Sequence, residues 1–144
     1  MDKEASVREL DERLEKNAAL LVVAARCLPM LDVAERRKLV ERALSFLHRD
    51  VGAHLADDAA HLYPVVAERL RDPLAAAPLQ YEHRAIRWWI DELARADAAD
   101  TNDLQRLLYG LYALITVHLS REEELYAGAV DSLRWPASGD TVVT

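Results

Sequence analysis

The sequence predicts an all-α protein folded as an up-down-up-down four-helix bundle. Three observations predict it. Hydrophobic residues make up 51% of the 144-residue chain, with many Ala and Leu among them. Only four Gly and five Pro punctuate it, too few for the turns of an all-β fold. Apolar residues recur in steps of three and four over long stretches, the period of a helix with one buried face.

Each helix has its own signals. The first spans about Ser6 to Leu28 on a stripe of Val7, Leu10, Leu14, Leu21, Ala24 and Leu28, and Pro29 ends it. Asp32, with Glu35 three residues later, reads as the cap of a second helix that runs to about Leu70. Gly52 and Pro64 lie inside that helix and are expected to kink it, because Pro lacks a donor and its ring crowds the preceding turn. Arg71-Asp72-Pro73 closes it. Ala75-Ala76-Ala77-Pro78 reads as the loop into a third helix, from about Leu79 to Ala96. Asp97 to Thr101 is the next turn, with Asp100 or Thr101 as the cap. The fourth helix runs from about Asn102 to Leu133, and Trp135-Pro136 stops it. Residues 1–136 thus read as one domain and residues 137–144 as a loose tail. Short connections between such helices favour antiparallel neighbours.

Composition narrows the function. The chain has 25 acidic against 18 basic residues, a net charge of −7, and no basic block to match phosphate, so no nucleic-acid partner is expected. No apolar run is long enough for a bilayer and no secretory signal stands at the N-terminus, so no membrane partner is expected either. Cys27 is the sole cysteine and forms no internal disulfide, which fits a reducing, cytoplasmic setting. Trp88 and Trp89 are adjacent and face different sides; one is expected in the core and the other at an interface, such as that of a homodimer.

The chemistry lies in a residue pair that occurs twice. His54 stands four residues before Asp58, and His118 four residues before Glu122. On a helix each imidazole then shares a face with its carboxylate. His83 lies on the stripe of His83, Ile86, Ile90 and Leu93, so a third imidazole points toward the core. A carboxylate on a core stripe is costly unless it is paired or binds a metal. Imidazole nitrogen with carboxylate oxygen is the ligand mixture of a non-haem iron site.

The order of these motifs resembles the hemerythrin-like, or HHE cation-binding, family. The residues that carry the resemblance are His54 and Asp58 followed by Leu62-Tyr63-Pro64, then Tyr81-Glu82-His83-Arg84-Ala85-Ile86, then His118-Leu119-Ser120-Arg121-Glu122-Glu123. It covers roughly Leu10 to Leu133. The resemblance implies a bundle holding two non-haem irons. His83 and His118 would hold one iron. His54 and a histidine of the first helix would hold the other, with Asp58 and Glu122 as bridges.

The chain departs from that pattern in three places. One is in the last helix, where Leu125-Tyr126 comes one residue earlier after His118 than Leu62-Tyr63 does after His54, and Ala127 replaces the Pro. The first helix contains no histidine, and Asn17, in the gap between Leu14 and Leu21, is expected to face the cluster in its stead as a poorer ligand. Asp58 is one methylene shorter than the usual Glu. His61, seven residues after His54, is a further candidate for the missing imidazole, against the plainer reading of a boundary histidine beside Asp57 or Asp58. One iron, two irons or a relic site all stay open. So do three functions: an iron protein binding dioxygen, nitric oxide or peroxide as carrier, store or sensor; an iron oxidase or peroxidase; and a metal-free interaction module. Tyr63, Tyr112 and Tyr126 read as core filling that lies near the site.

Overall fold

The computed structural model describes residues 3–134, and all of the regular structure among them is helical. The elements are α1 (Lys3–Cys27), α2 (Val33–Phe46), α3 (Gly52–Asp57), α4 (Tyr63–Leu70), α5 (Ala77–Arg95) and α6 (Thr101–Arg134). The expected Trp135-Pro136 stop and the tail lie outside the described residues, as do the side chains of Val7 and Leu10.

A 3-10 turn, Leu28–Met30, with Pro29 inside it, separates α1 from α2. The capping box at the start of α2 forms as the sequence indicates: Asp32 Oδ1 accepts from Glu35 N at 2.8 Å, and Glu35 accepts back from Asp32 N at 3.3 Å. The third helix begins two residues earlier than the apolar pattern suggests, because Pro78 fits the first helical turn, where a missing N–H costs nothing.

The second predicted helix is where sequence and structure part most. It is α2, α3 and α4 joined by two π-helical turns, Leu47–Val51 and Asp58–Leu62. In each, the ladder runs over five residues: Gly52 N–H reaches Leu47 O, and Tyr63 N–H reaches Asp58 O. The expected kinks at Gly52 and Pro64 are therefore better described as π turns immediately before those residues. The widened turn before Pro64 places this donor-less residue in the first turn of α4. α4 ends at Arg71, which adopts the left-handed conformation (φ 51°) usual for a helix C-cap.

Packing centres on α6. Gln105, near its start, donates to Ala25 O near the end of α1 at 2.9 Å. Trp89 of α5 lies against Gly110 of α6. On α1 and the turn after it the buried apolar positions are Leu14, Ala18, Leu21, Ala24, Ala25 and Leu28. The expected stripe is thus present from Leu14 onward, widened by the small Ala18 and Ala25, both fully buried, which allow close helix approach. Continued backward by three residues, it reaches Asp11. The aliphatic core also includes Leu47, Leu55, Ile86, Leu93, Leu104 and Ile115. Each fully buried side chain of this size contributes about 2 kcal/mol relative to exposure. A second, smaller apolar cluster gathers Tyr63, Ala76 and Leu79, with Leu62 and Leu125 against it; along α5 and α6 the polar residues His83 and Glu122 stand between the two.

Candidate metal centre

Four helical segments aim polar side chains at a single buried cluster. His54 from α3 has its Nε2 2.8 Å from Asp58 Oδ2, 3.3 Å from Glu122 Oε1 and 3.4 Å from Asp11 Oδ1. His83 from α5 and His118 from α6 bring their Nε2 atoms to 3.2 Å of each other. Glu122 Oε2 lies 3.2 Å from His118 Nε2. Glu122 thus turns one oxygen toward the Asp11–His54–Asp58 side and the other toward the His83–His118 side. That is the disposition of a bridging carboxylate.

His54, Asp58, His83, His118 and Glu122 are therefore brought together. Asn17 and His61 are not. Asn17 lies six residues after Asp11, about 240° around α1. It lines a separate surface cleft with Leu20, Ala24, Arg42 and Arg49. The first helix contributes Asp11 instead, because the buried stripe runs through Asp11, Leu14, Ala18 and Leu21. The misassignment came from reading the gap between Leu14 and Leu21 as a core position. Ala18 fills that gap.

His61 is exposed and pairs with Asp57, Nδ1 to Oδ1 at 3.0 Å. A regular helix would have stacked it one turn beyond Asp58. The π turn inserts an extra residue, so Tyr63 takes that place and His61 rotates outward. The Tyr63 hydroxyl donates to Glu122 Oε2 at 2.6 Å and lies 2.8 Å from His83 Nε2. Tyr63 is therefore part of the cluster as well as of the core. Glu82 is a further member whose role the sequence did not reveal. It accepts from His118 Nδ1 at 2.8 Å and is itself held by Arg121. A carboxylate on Nδ1 fixes the ring orientation and turns Nε2 inward, as the outer partner of a metal-bound histidine does.

Burial and charge set the protonation states. Burial alone would lower the His54 pKa, yet Asp58 and Glu122 hold it up at about 10. Burial lifts Asp11 to about 6 and Asp58 to about 7. Burial, with the neighbouring His118, drops His83 to about 4, so its ring is neutral at pH 7 with a free lone pair. His118 is raised despite burial, by hydrogen bonds to Glu122 and Glu82. Burial would raise Glu122, but contacts with His118, His54, Asp58 and Tyr63 push it far down, so it stays ionised. Tyr63 is raised by burial and by Glu122, and remains a neutral donor.

The donor set has the character of a cation site. Asp11 Oδ1, His54 Nε2, Asp58 Oδ2 and Glu122 Oε1 are buried and lack any properly directed hydrogen bond, although they crowd within ion-pair distance. Such atoms cost about 1–3 kcal/mol each if left unpaired. The three carboxylate oxygens gather around His54 Nε2, a concentration of negative charge that suits a shared positive ion. Two ligand groups satisfy the spacing of a metal site, His83 with His118 and Glu122, and Asp11 with His54 and Glu122. In each, the donor atoms lie within 4.8 Å of one another. The residues fit a metal.

The hemerythrin HHE cation-binding domain matches residues 6–130. The chain belongs to the hemerythrin HHE family. No curated protein and no solved structure matches it. Hemerythrin-like domains bind metal ions, typically iron, and the buried cluster of this hemerythrin domain lies wholly inside the matched segment. Among the described residues, no helix is long and apolar enough to cross a membrane.

Proposed function

We propose that this hemerythrin-like protein is a non-haem iron protein that binds a small ligand, dioxygen, nitric oxide or peroxide, as carrier, store or sensor. The observation that carries the reading is Glu122. It is 2% exposed and offers one oxygen to each of two ligand groups in the interior of the bundle. An up-down-up-down arrangement of the four helical stretches is part of the same reading. The pairings of Gln105 with Ala25, His118 with His83 and Arg36 with Ala98 support it.

His83, His118 and Glu122 would hold one iron; Asp11, His54 and Asp58, sharing Glu122, would hold the second cation. When bound, iron supplies Lewis acidity and a one-electron couple at positions the protein leaves open. The chain's own residues do the rest. Glu82 orients His118, and Leu55, Ile86 and Leu119 exclude bulk water. Tyr63 holds a proton beside the centre. That hydroxyl favours one second reading, an iron oxidase or peroxidase, because a proton donor at the site suits the reduction of an oxygen species.

Anaerobic ferrous loading followed by metal analysis, absorption in air and addition of nitric oxide tests the proposal. The parent should retain iron and give a new absorption band with nitric oxide. His118→Ala should lose more iron than His54→Ala, since its half of the site has two imidazoles. A protein that takes up no iron after loading would be a scaffold, and the reading would fail.

A further inference from the structure

We propose that the two halves of this centre are built for unlike cations: iron in the imidazole-rich half, and a harder, oxygen-preferring divalent cation of the manganese type in the half around Asp11. The inference rests on the metal-binding reading above and goes beyond it. Its basis is the donor atoms themselves. The half between α5 and α6 presents His83 Nε2, His118 Nε2 and Glu122 Oε2, two imidazoles and one carboxylate. The half between α1 and α3 presents His54 Nε2 with Asp11 Oδ1, Asp58 Oδ2 and Glu122 Oε1, one imidazole and three carboxylates. Imidazole suits iron; carboxylate-rich sets suit manganese, magnesium and calcium.

Two further observations point the same way. The four atoms of the oxygen-rich half are those that are buried without a directed hydrogen bond, and Glu122 and Asp58, the most deeply buried carboxylates among them, aim into it. Three carboxylates and one imidazole form a harder, more oxygen-rich donor set than two imidazoles and one carboxylate, which favours the oxygen-preferring cation in this half. Asp11 also lies at the mouth of a cleft of about 180 Å³ between α1 and α6, lined by Glu12, Glu15 and Glu123 besides Thr116 and Ser120. Of the cluster's residues, Asp11 is the one that lines this cleft. Its acidic lining raises the local concentration of divalent cations. One aspartate in the first helix thus changes the chemistry of one half and leaves the other intact.

The test uses the full chain, stripped of metal and loaded anaerobically with equal amounts of Mn2+ and Fe2+. Metal content is read after desalting, and Mn2+ by electron paramagnetic resonance. The parent should retain about one Mn2+ and about one Fe2+ per chain. Its Mn2+ signal should broaden or vanish when the neighbouring iron is present, since Glu122 bridges them. Asp11→His should exchange manganese for iron, lowering retained Mn2+ by about ten-fold and bringing iron to about two per chain. Asp11→Asn, which keeps the side chain's shape, should lose Mn2+ and keep the iron held by His83 and His118. Circular dichroism confirms that each variant is folded. Two irons and negligible manganese in the parent would overturn the proposal while leaving the iron-protein reading in place. A Mn2+ to Fe2+ ratio unchanged in folded Asp11→His would overturn it too. Failure to bind either metal would sink both readings.

Discussion

Asp58 occupies a position where folding and ligation make opposite demands. Burial lifts its carboxyl from the usual 3.8 to about 7. Below about pH 3 it is protonated in both folded and unfolded chains and has no effect. As pH rises from about 3 to 7 the unfolded chain ionises while the folded one resists, so stability is lost through that window and the full penalty stands above pH 7. Asn has the same shape and cannot ionise. Asp58→Asn should therefore make the metal-free protein more stable at pH 8, by on the order of 1–3 kcal/mol. At about pH 3, below the unfolded value, the two should melt together. Thermal melts of stripped parent and variant at the two pH values check this; a variant less stable at pH 8 would mean that its pairing with His54 outweighs its burial. Five of the residues in the cluster, His54, Asp58, His83, His118 and Glu122, were legible from helical spacing, because an imidazole and an acid one turn apart must share a face. Asp11 was not, since a lone acid near a chain end reads as surface until the Ala18 and Ala25 positions fix the phase of α1. Glu82 was hidden for a similar reason. Its role is defined by the ring nitrogen of His118 across the helix interface, which no local pattern records.

At the level of elements, the π turns and the α5–α6 contact decide what the site contains. A helix period of 3.6 residues predicts His61 above Asp58, and the five-residue turn puts Tyr63 there instead. No sequence period announces such a turn; Pro64 just beyond it was the only local hint, and it pointed to a kink. The helices themselves, their caps and their approximate ends were legible, because capping boxes and apolar stripes are local. The α5–α6 contact rests on Gly110. A Cβ there would stand 2.3 Å from the Trp89 ring, far inside contact distance. Trp89 is in turn held by Trp88 at 6.2 Å between ring centroids and by Arg106 over its face. Gly110→Ala gains about 1 kcal/mol of helix propensity but must displace that indole, an overpacking cost of about 1–3 kcal/mol. The expected outcome is a shifted tryptophan emission and a melting temperature that does not rise. A clear rise in melting temperature with unchanged emission would show that α5 and α6 have slack the contact does not suggest.

The whole molecule divides its labour between an aliphatic core and a polar cluster. Around Leu21, Leu28, Leu93, Leu104 and Leu108 it is an aliphatic bundle. Around Glu122 it gathers three carboxylates, three imidazoles and a phenol in the same interior. The first end, the aliphatic one, contains no ionisable group among its buried residues. The second, the polar one, carries buried atoms without a directed hydrogen bond, which a cation would satisfy. The fold class was legible because composition and period speak for the first end, whereas the register of the second depends on how the helices meet. Metal removal separates the two. Chelation should leave the helical circular dichroism nearly unchanged, because the aliphatic end needs no ion. It should lower the melting temperature, because a cation that binds only the folded chain stabilises it by about 2.7 kcal/mol at a free concentration one hundred times its dissociation constant. For a chain of this size that is a shift of about 10 °C. Restoring the metal should restore the shift, and His118→Ala should reduce it. Loss of helix on chelation would show that the aliphatic end does not stand alone. An unmoved melting temperature would show that the carboxylates find their partners without a cation, and the centre would then be a buried ion-pair network rather than a metal site.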